Sequence, residues 1–360
     1  MITLETAPII INSTHAPEAR YSAPRVSIII VNWNGKGHLE CCLDSLAGQN
    51  FRDFEVVLVD NGSTDGSVPF LQERYPWVRL VELTENTGFA TGNNRGLAHA
   101  SGEYVVTLNN DTKADPAWLA ELVAVADAYP AAGMVGCRIC SYDDPDIVDS
   151  LGFGICRDGM SRGLFRFRRF SELYLPPVMD ILMPSACAAL YRRAMLDETG
   201  FFDDDFFAYA EDTDLGLRAR RTGWGAVLAT NAVVLHKYSR TGGTFSPFKV
   251  YLVERNHYWV AVKNFPAADL LKLPLFTVQR YLVQARLVAS GSGSGSAFRA
   301  SGRRNELLGA VARGMRDAVL GFPACLAKRR QIAAKARISS ADMSVLLHQH
   351  PLTFAELLTE

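Results

Sequence analysis

The stretch Val26-Ser27-Ile28-Ile29-Ile30-Val31 decides the fold class. All but Ser27 are apolar and β-branched, without the polar alternation of a half-solvated strand. Such a run reads as a strand buried on both faces, with helices above and below its sheet. Phe54 to Val59 is a second strand of this kind, ending at Asp60-Asn61-Gly62-Ser63. Val78–Leu83 and Tyr104–Leu108 read as the third and fourth strands, and helical stretches at about His38–Ala47, up to Tyr75 and over 88–100 separate them. Strands alternating with helices through short links predict an α/β fold, a doubly wound, mostly parallel sheet flanked by helices. Ligands of such sheets bind beyond the carboxyl ends of the strands. Asn32, Asp60 and Asn109-Asn110-Asp111 all fall there.

A helix over 116–129 is expected to open with Pro116 in its first turn, followed by a strand at 134–140. From 141 to 185 the pattern weakens, and a basic-aromatic run, Arg162 to Phe170, stands out. A strand at Ala188–Tyr191 and the turn Gly200-Phe201-Phe202-Asp203 precede the acidic cluster Glu211-Asp212-Thr213-Asp214, which opens a helix to about Thr222. Val227–Ala229 and Ala232–Leu235 read as two short strands leading into His236, and Phe248–Asn264 as a long helix. The organisation is a loose leader at 1–24 and a globular domain at 25–265, with a nucleotide-binding half at 25–140 and an acceptor half at 141–265. An amphipathic segment at 266–289, a Gly/Ser linker at 290–297 and a helical C-terminal extension at 298–360 follow.

The 360 residues are 48% hydrophobic and 21% charged, with a net charge of −1. This is ordinary globular composition, and it argues against a nucleic-acid partner. No run reaches the ~18 apolar residues of a membrane helix, and no signal peptide is read at the N-terminus. Seven cysteines fit a reducing compartment. Cys137 and Cys140 form a CxxC, but a strand there puts the two thiols on opposite faces, and no second CxxC exists to complete a zinc site.

Asn109-Asn110-Asp111 supplies one carboxylate flanked by amides at a strand end. That suits Mg²⁺ or Mn²⁺ held partly by substrate phosphates, although an Asx-turn would use the same residues. His236 ends a strand and could offer an imidazole nitrogen to the same metal, although a His at a strand end is more often simply satisfied by a neighbour. Three acids within Glu211–Asp214 exceed what a helix dipole asks for, and they follow the aromatic stretch Phe206-Phe207-Ala208-Tyr209. One of them fits a general base that takes a proton from an acceptor hydroxyl.

The order of these motifs resembles the family 2, GT-A fold, inverting glycosyltransferases, especially the bacterial rhamnosyltransferase-like branch. It runs through Val26–Asn34, Val59–Asp65, Asn86–Asn94, Leu108–Asp111 and Glu211–Arg218, and covers about residues 25–265. The resemblance implies a nucleotide-diphospho-sugar donor and a divalent metal. It places Asn32, Trp33, Asn34, Asp60, Asn93, Asn94 and Asn110 at the donor, with Trp33 near the base and Asn110 near the ribose. It puts Asp111 and His236 on the metal, and Asp212 as catalytic base with Glu211 beside it. Arg255-Asn256 matches a segment that opens the following helix. Two departures stand out. The triplet is Asn-Asn-Asp, not Asp-x-Asp. Asn93 stands where many relatives have Arg, leaving a phosphate contact to another cation, Arg95 or Lys237.

The acceptor implied is a cell-surface glycan or lipid-linked oligosaccharide, and the location cytoplasmic, peripheral on the inner membrane. The basic-aromatic run and segment 268–289 are candidate contacts for the acceptor or the membrane. The rival readings are a nucleotidyltransferase and a non-catalytic nucleotide-sugar or glycan-binding protein. The first would carry a basic Gly-rich loop after the first strand, where only Lys36 is available; the second would lack Asp111 and Asp212. No GxGxxG follows the first strand, which argues against a dehydrogenase.

Overall fold

The computed structural model describes residues 23–237, 246–290 and 304–358. The leader and the Gly/Ser linker therefore lie, but for residues 23, 24 and 290, outside the described residues. The chain begins with β1 (Val26–Asn32), α1 (Lys36–Ala47), β2 (Phe54–Asn61), α2 (Ser67–Arg74), β3 (Arg79–Leu83), α3 (Gly88–Leu97) and β4 (Tyr104–Leu108). Next come β5 (Thr112–Ala114), α4 (Trp118–Ala128), β6 (Ala132–Ser141), β7 (Val148–Ser150), β8 (Phe153–Ile155) and β9 (Ser161–Gly163). β10 (Val178–Asp180), β11 (Ala188–Arg192), α5 (Arg193–Thr199), α6 (Glu211–Arg221) and β12 (Gly225–His236) complete the sheet region.

Among the described residues a ten-stranded sheet has the order β10-β12-β6-β11-β4-β1-β2-β3, with β5 on β12 and β7 on β6. β11 runs antiparallel between β4 and β6, while β1–β4, β6 and β12 share one direction. The sheet is thus mixed but mostly parallel, as the sequence predicts. β1 is buried on both faces. Ile28 and Ile30 join Leu39, Leu43 and Trp118 in one layer, and Ile29 joins Ala90, Tyr191 and Phe202 in the other. α3 lies so close over β1 that a Cβ on Gly96 would meet the Ile29 side chain at 2.4 Å.

Three local expectations change. The helix expected from Pro116 starts at Trp118, because the Asp115 side chain accepts from the Ala117 N–H at 2.9 Å and closes a turn first. The two short strands expected over 227–235 are one, β12, whose register against β6 shifts between Ala229 and Val233. Residues 141–185 hold β7 to β10, each three residues long and too short to show a period. Cys137 and Cys140 are buried, and all seven cysteines are free thiols.

The C-terminal part packs on α7 (Pro247–Asn264). After α8 (Ala267–Leu270) and α9 (Leu273–Ala289), the long α10 (Arg304–Ala334) lies along α7, where the Trp259 indole N–H donates to the Ala318 carbonyl at 3.0 Å. Two short helices follow, α11 (Ser340–Gln349) and α12 (Phe354–Leu358). Among the described residues no helix is long and apolar enough to cross a membrane.

A buried ion network ties these helices to the sheet domain. Lys263 Nζ lies 2.6 Å from Asp203 and 2.8 Å from Asp214, and Arg218 lies 2.8 Å from Asp214. Lys328 of α10 closes the network on Asp203 and Asp205 at 2.5 and 2.6 Å. Burial opposes the charge on Asp214, but Lys263 and Arg218 outweigh it and hold the carboxyl below its ordinary range. Removing the ammonium would leave buried carboxylates uncompensated. Lys263→Met is therefore expected to lower stability by ~3–5 kcal/mol near neutral pH in denaturant titrations. A depressed carboxylate adds stability above its unfolded pKa, about 3.9, and loses it as pH falls through the lower folded value. The gap between wild type and variant should therefore narrow in acid.

Candidate active site

The carboxyl ends of β1, β2, β4 and β12 meet at a pocket of about 690 Å³. Its floor is a buried amide relay. Asn110 donates to the Asn32 side-chain oxygen at 2.7 Å, and Asn32 donates to Asp60 at 3.0 Å and to Ser63 at 3.2 Å. The relay fixes three strand ends to one another. Gly35 must lack a side chain here, since a Cβ would lie 2.2 Å from the Asn110 amide. Trp33 is 44% exposed and lines the pocket, as do Asn109, Asn110 and Asp111.

Asp111 and His236 come together across the β4–β5 turn and the end of β12. Asp111 Oδ1 is 3.3 Å from His236 Nε2, and His236 Nδ1 is 2.8 Å from Asp149 Oδ2. Arg166 pairs with the other Asp149 oxygen at 3.3 Å. With Nδ1–H donated to Asp149, Nε2 and Asp111 Oδ1 face each other as two acceptors. Something positive belongs between them, either a proton or a metal cation. The electrostatics agree. Burial opposes charging His236, but the Cys187 sulfur, Asp111 and Asp149 outweigh it and push the imidazole well above its ordinary range. Burial likewise opposes ionising Asp111, and His236 outweighs it and holds the carboxyl low. Among the described residues no three His, Cys, Asp or Glu side chains form a metal cluster. The pair fits a cation that takes one carboxylate and one imidazole from the protein and its other ligands from phosphate oxygens, with Asp149 orienting the imidazole.

The second half of the site is α6. Glu211 and Asp212 sit in its first turn and line the same pocket. Burial raises both carboxyls, Glu211 the more, and the Asp212 charge raises Glu211 further. Asp212 accepts the Thr213 N–H at 2.7 Å and the Ala186 N–H at 3.1 Å, whereas Glu211 Oε2 is buried without a partner. The donors make Asp212 the anion of the pair and leave the proton on Glu211.

The approach to α6 is strained. Phe207, Tyr209 and Ala210 have φ of 64°, 69° and 69°, values that non-glycine residues seldom adopt. Asn256 of α7 holds this loop, donating to the carbonyls of Phe206, Ala208 and Tyr209 at 3.0, 2.9 and 2.7 Å. Arg255 adds donors to Asp205 and Phe206. The loop presents Phe207 and Tyr209 to the pocket beside Phe248.

Of the residues singled out in the sequence, Trp33, Asn110, Asp111, Glu211, Asp212 and His236 line one pocket. Asn32 and Asp60 lie buried beneath it. Asn34 is turned into the 60–64 loop, where its side-chain oxygen accepts from the Thr64 N–H at 2.8 Å. Asn93 and Asn94 do not line the pocket. Asn93 donates to the Phe89 carbonyl of its own helix, and Asn94 reaches out of α3 to the Phe202 carbonyl and Asp204. Neither Arg95 nor Lys237 lines it; the Lys237 ammonium lies over the Tyr142 ring. Among the described residues the Lys and Arg side chains on the pocket wall are Arg162, Arg166 and Lys249, two of them from the basic-aromatic run. Asp149, which no sequence motif marks, also lines the pocket, as do Asn61 and Asn86, which the motifs contain without a role assigned to them.

Residues 27–200 match the family model for glycosyl transferase family 2. The chain is similar to an N-acetylglucosaminyl-diphospho-decaprenol L-rhamnosyltransferase of Mycobacterium tuberculosis, 30% identical over 236 residues that cover 60% of this chain and 77% of that protein. It is 32% identical to the O-antigen biosynthesis protein RfbC of Myxococcus xanthus over 231 residues, 60% of this chain but 17% of that one. Among solved structures, S. aureus TarS 1-349 in complex with UDP shares the fold, with a TM-score of 0.50 and 19% identity over 86% of this chain and 90% of that one.

Asn256→Ala would remove the amide whose two N–H groups are shared among three carbonyls of the strained loop. It should lower stability by ~2–4 kcal/mol, read from the midpoint of a denaturant titration.

Proposed function

Because the chain belongs to glycosyl transferase family 2, we propose that this glycosyltransferase moves a deoxyhexose from a nucleotide diphosphate to a lipid-linked glycan acceptor, with inversion. The observation that carries this reading is the meeting, in one pocket at the strand ends, of the Asp111–His236 pair and the Glu211–Asp212 pair. Asp111 and His236 would hold a divalent cation, which when bound neutralises the departing nucleotide diphosphate. Trp33 offers its ring to the base, and Asn110 reaches the ribose from the relay beneath.

Asp212 takes the proton from the acceptor hydroxyl. The oxygen forms its bond to the anomeric carbon as the bond to the nucleotide diphosphate breaks on the opposite face. Ala186 and Thr213 hold the carboxylate in place for that transfer. Neutral Glu211 keeps a second negative charge away from the incoming hydroxyl. Phe207 and Tyr209, which line the pocket, would flank the acceptor sugar.

Deoxythymidine-diphosphate-rhamnose is the proposed donor, with uridine-diphosphate sugars next. Support for rhamnose and for a polyprenyl diphosphate acceptor comes from the mycobacterial relative's name. The enzyme would work in the cytoplasm, peripherally attached to the inner membrane.

A donor panel assayed with and without Mn²⁺ or Mg²⁺ tests this reading. Asp212→Asn is expected to cut turnover by ~10²–10⁴-fold while nucleotide binding, read by calorimetry, stays within about twofold. Loss of nucleotide binding in Asp212→Asn, or turnover unchanged by it, rejects Asp212 as the base. Since both carboxyls are raised, the rate should climb with pH above the ordinary carboxylate range.

A proton on His236 competes with a metal for Nε2. Mn²⁺ should therefore bind more tightly as pH rises through neutrality, and His236→Ala should abolish that pH dependence. A flat Mn²⁺ affinity in the wild type would remove His236 from the ligand set.

A further inference from the structure

Helix α9 has its polarity inverted for a water-facing helix. Arg280 points inward, 97% buried, with Nε 2.6 Å from Asp158 and a terminal nitrogen 3.1 Å from Glu254. The neighbouring Tyr281 hydroxyl donates to Glu254 at 2.7 Å. This ion cluster sets the rotation of the helix on α7. With the charge inside, aliphatic side chains face out. Leu275, Val278 and Leu282 are 66%, 56% and 55% exposed, and their spacing of three and four residues puts them on one stripe. Leu271, just before the helix, extends the stripe at 86% exposure, and Ala285 and Ala289 continue it.

The rim of the stripe is positive. Lys272 and Arg286 are exposed on this segment, and exposed Arg157 lies over the Phe276 ring at 5.2 Å. The acid that precedes the stripe in the chain, Asp269, accepts from Ser344 at 3.0 Å. The sequence carries no Asp or Glu from 270 to 305. A second copy of the chain docking on this face would bring like charges together. An anionic surface with an apolar interior satisfies both features at once.

We propose that the outward face of α9 rests on an anionic lipid bilayer, with Leu275, Val278 and Leu282 among the acyl chains and Lys272 and Arg286 at the headgroups. The proposal deepens the lipid-linked-acceptor reading, since it would hold the pocket at the surface where such an acceptor resides.

The full chain is tested by flotation with vesicles of phosphatidylcholine and phosphatidylglycerol in equal parts, and with phosphatidylcholine alone. The wild type should float with the mixed vesicles and at least tenfold less with the neutral ones. A triple variant, Leu275→Ser, Val278→Ser, Leu282→Ser, should lose flotation at least tenfold, and Lys272→Gln with Arg286→Gln on the order of tenfold. Transfer to a water-soluble acceptor analogue should stay at the wild-type level in both. Failure of the wild type to float, or flotation of the triple variant like the wild type, overturns the proposal. So does a wild-type dimer that the triple variant abolishes, which would assign the face to a second copy. Because flotation uses neither donor nor acceptor, it separates the two readings. Transfer to a lipid-linked acceptor without flotation rejects this proposal alone, and flotation without transfer rejects the acceptor reading alone.

Discussion

The site depends on one side-chain amide. Asn256 shares the two N–H groups of its amide among three carbonyls of a loop in which Phe207, Tyr209 and Ala210 sit in left-handed conformations that their side chains disfavour. Without such a clamp the segment would relax, at a gain of about 1–3 kcal/mol for each strained residue. Held as it is, the loop delivers the N-terminus of α6 to the pocket with Glu211 and Asp212 facing inward. Gly88 completes the enclosure, because its φ of +88° lets α3 approach the Phe207 carbonyl, where a Cβ would stand 2.5 Å away. The loop is thus held by α7 on one side and α3 on the other, ahead of α6.

The two acid pairs of the pocket use burial in different ways. Asp111 is kept charged despite desolvation because His236 lies against it. Among the described residues no cation lies beside Glu211 and Asp212, so desolvation prevails and their proton affinity rises. One end of the site is arranged to gather positive charge and the other to accept a proton, within a single low-dielectric space.

Much of this was legible in the sequence, because the parallel half of the sheet writes itself as β-branched runs ending in Asn or Asp. Asn32, Asp60 and Asp111 were readable as strand ends from Val26–Val31, Phe54–Val59 and Tyr104–Leu108 alone. Asp149 was not. It lies in a three-residue strand, and its meaning comes from a contact with His236, 87 positions away. The left-handed backbone at Phe207, Tyr209 and Ala210 was equally hidden, since those residue types carry no signal for it. Asn93 and Asn94 show the converse: their motif was visible, but not that Asn93 bonds back to the Phe89 carbonyl of its own helix and Asn94 to the Phe202 carbonyl and Asp204.

The ammonium of Lys328 reaches back 123 and 125 positions to Asp205 and Asp203, just ahead of the strained loop. The family match ends at residue 200, so this contact joins two parts of the chain that lie beyond it. The tail is consequently not an interchangeable module. A tail without a cation at this turn of α10 would leave Asp203 to Lys263 alone and Asp205 to solvent.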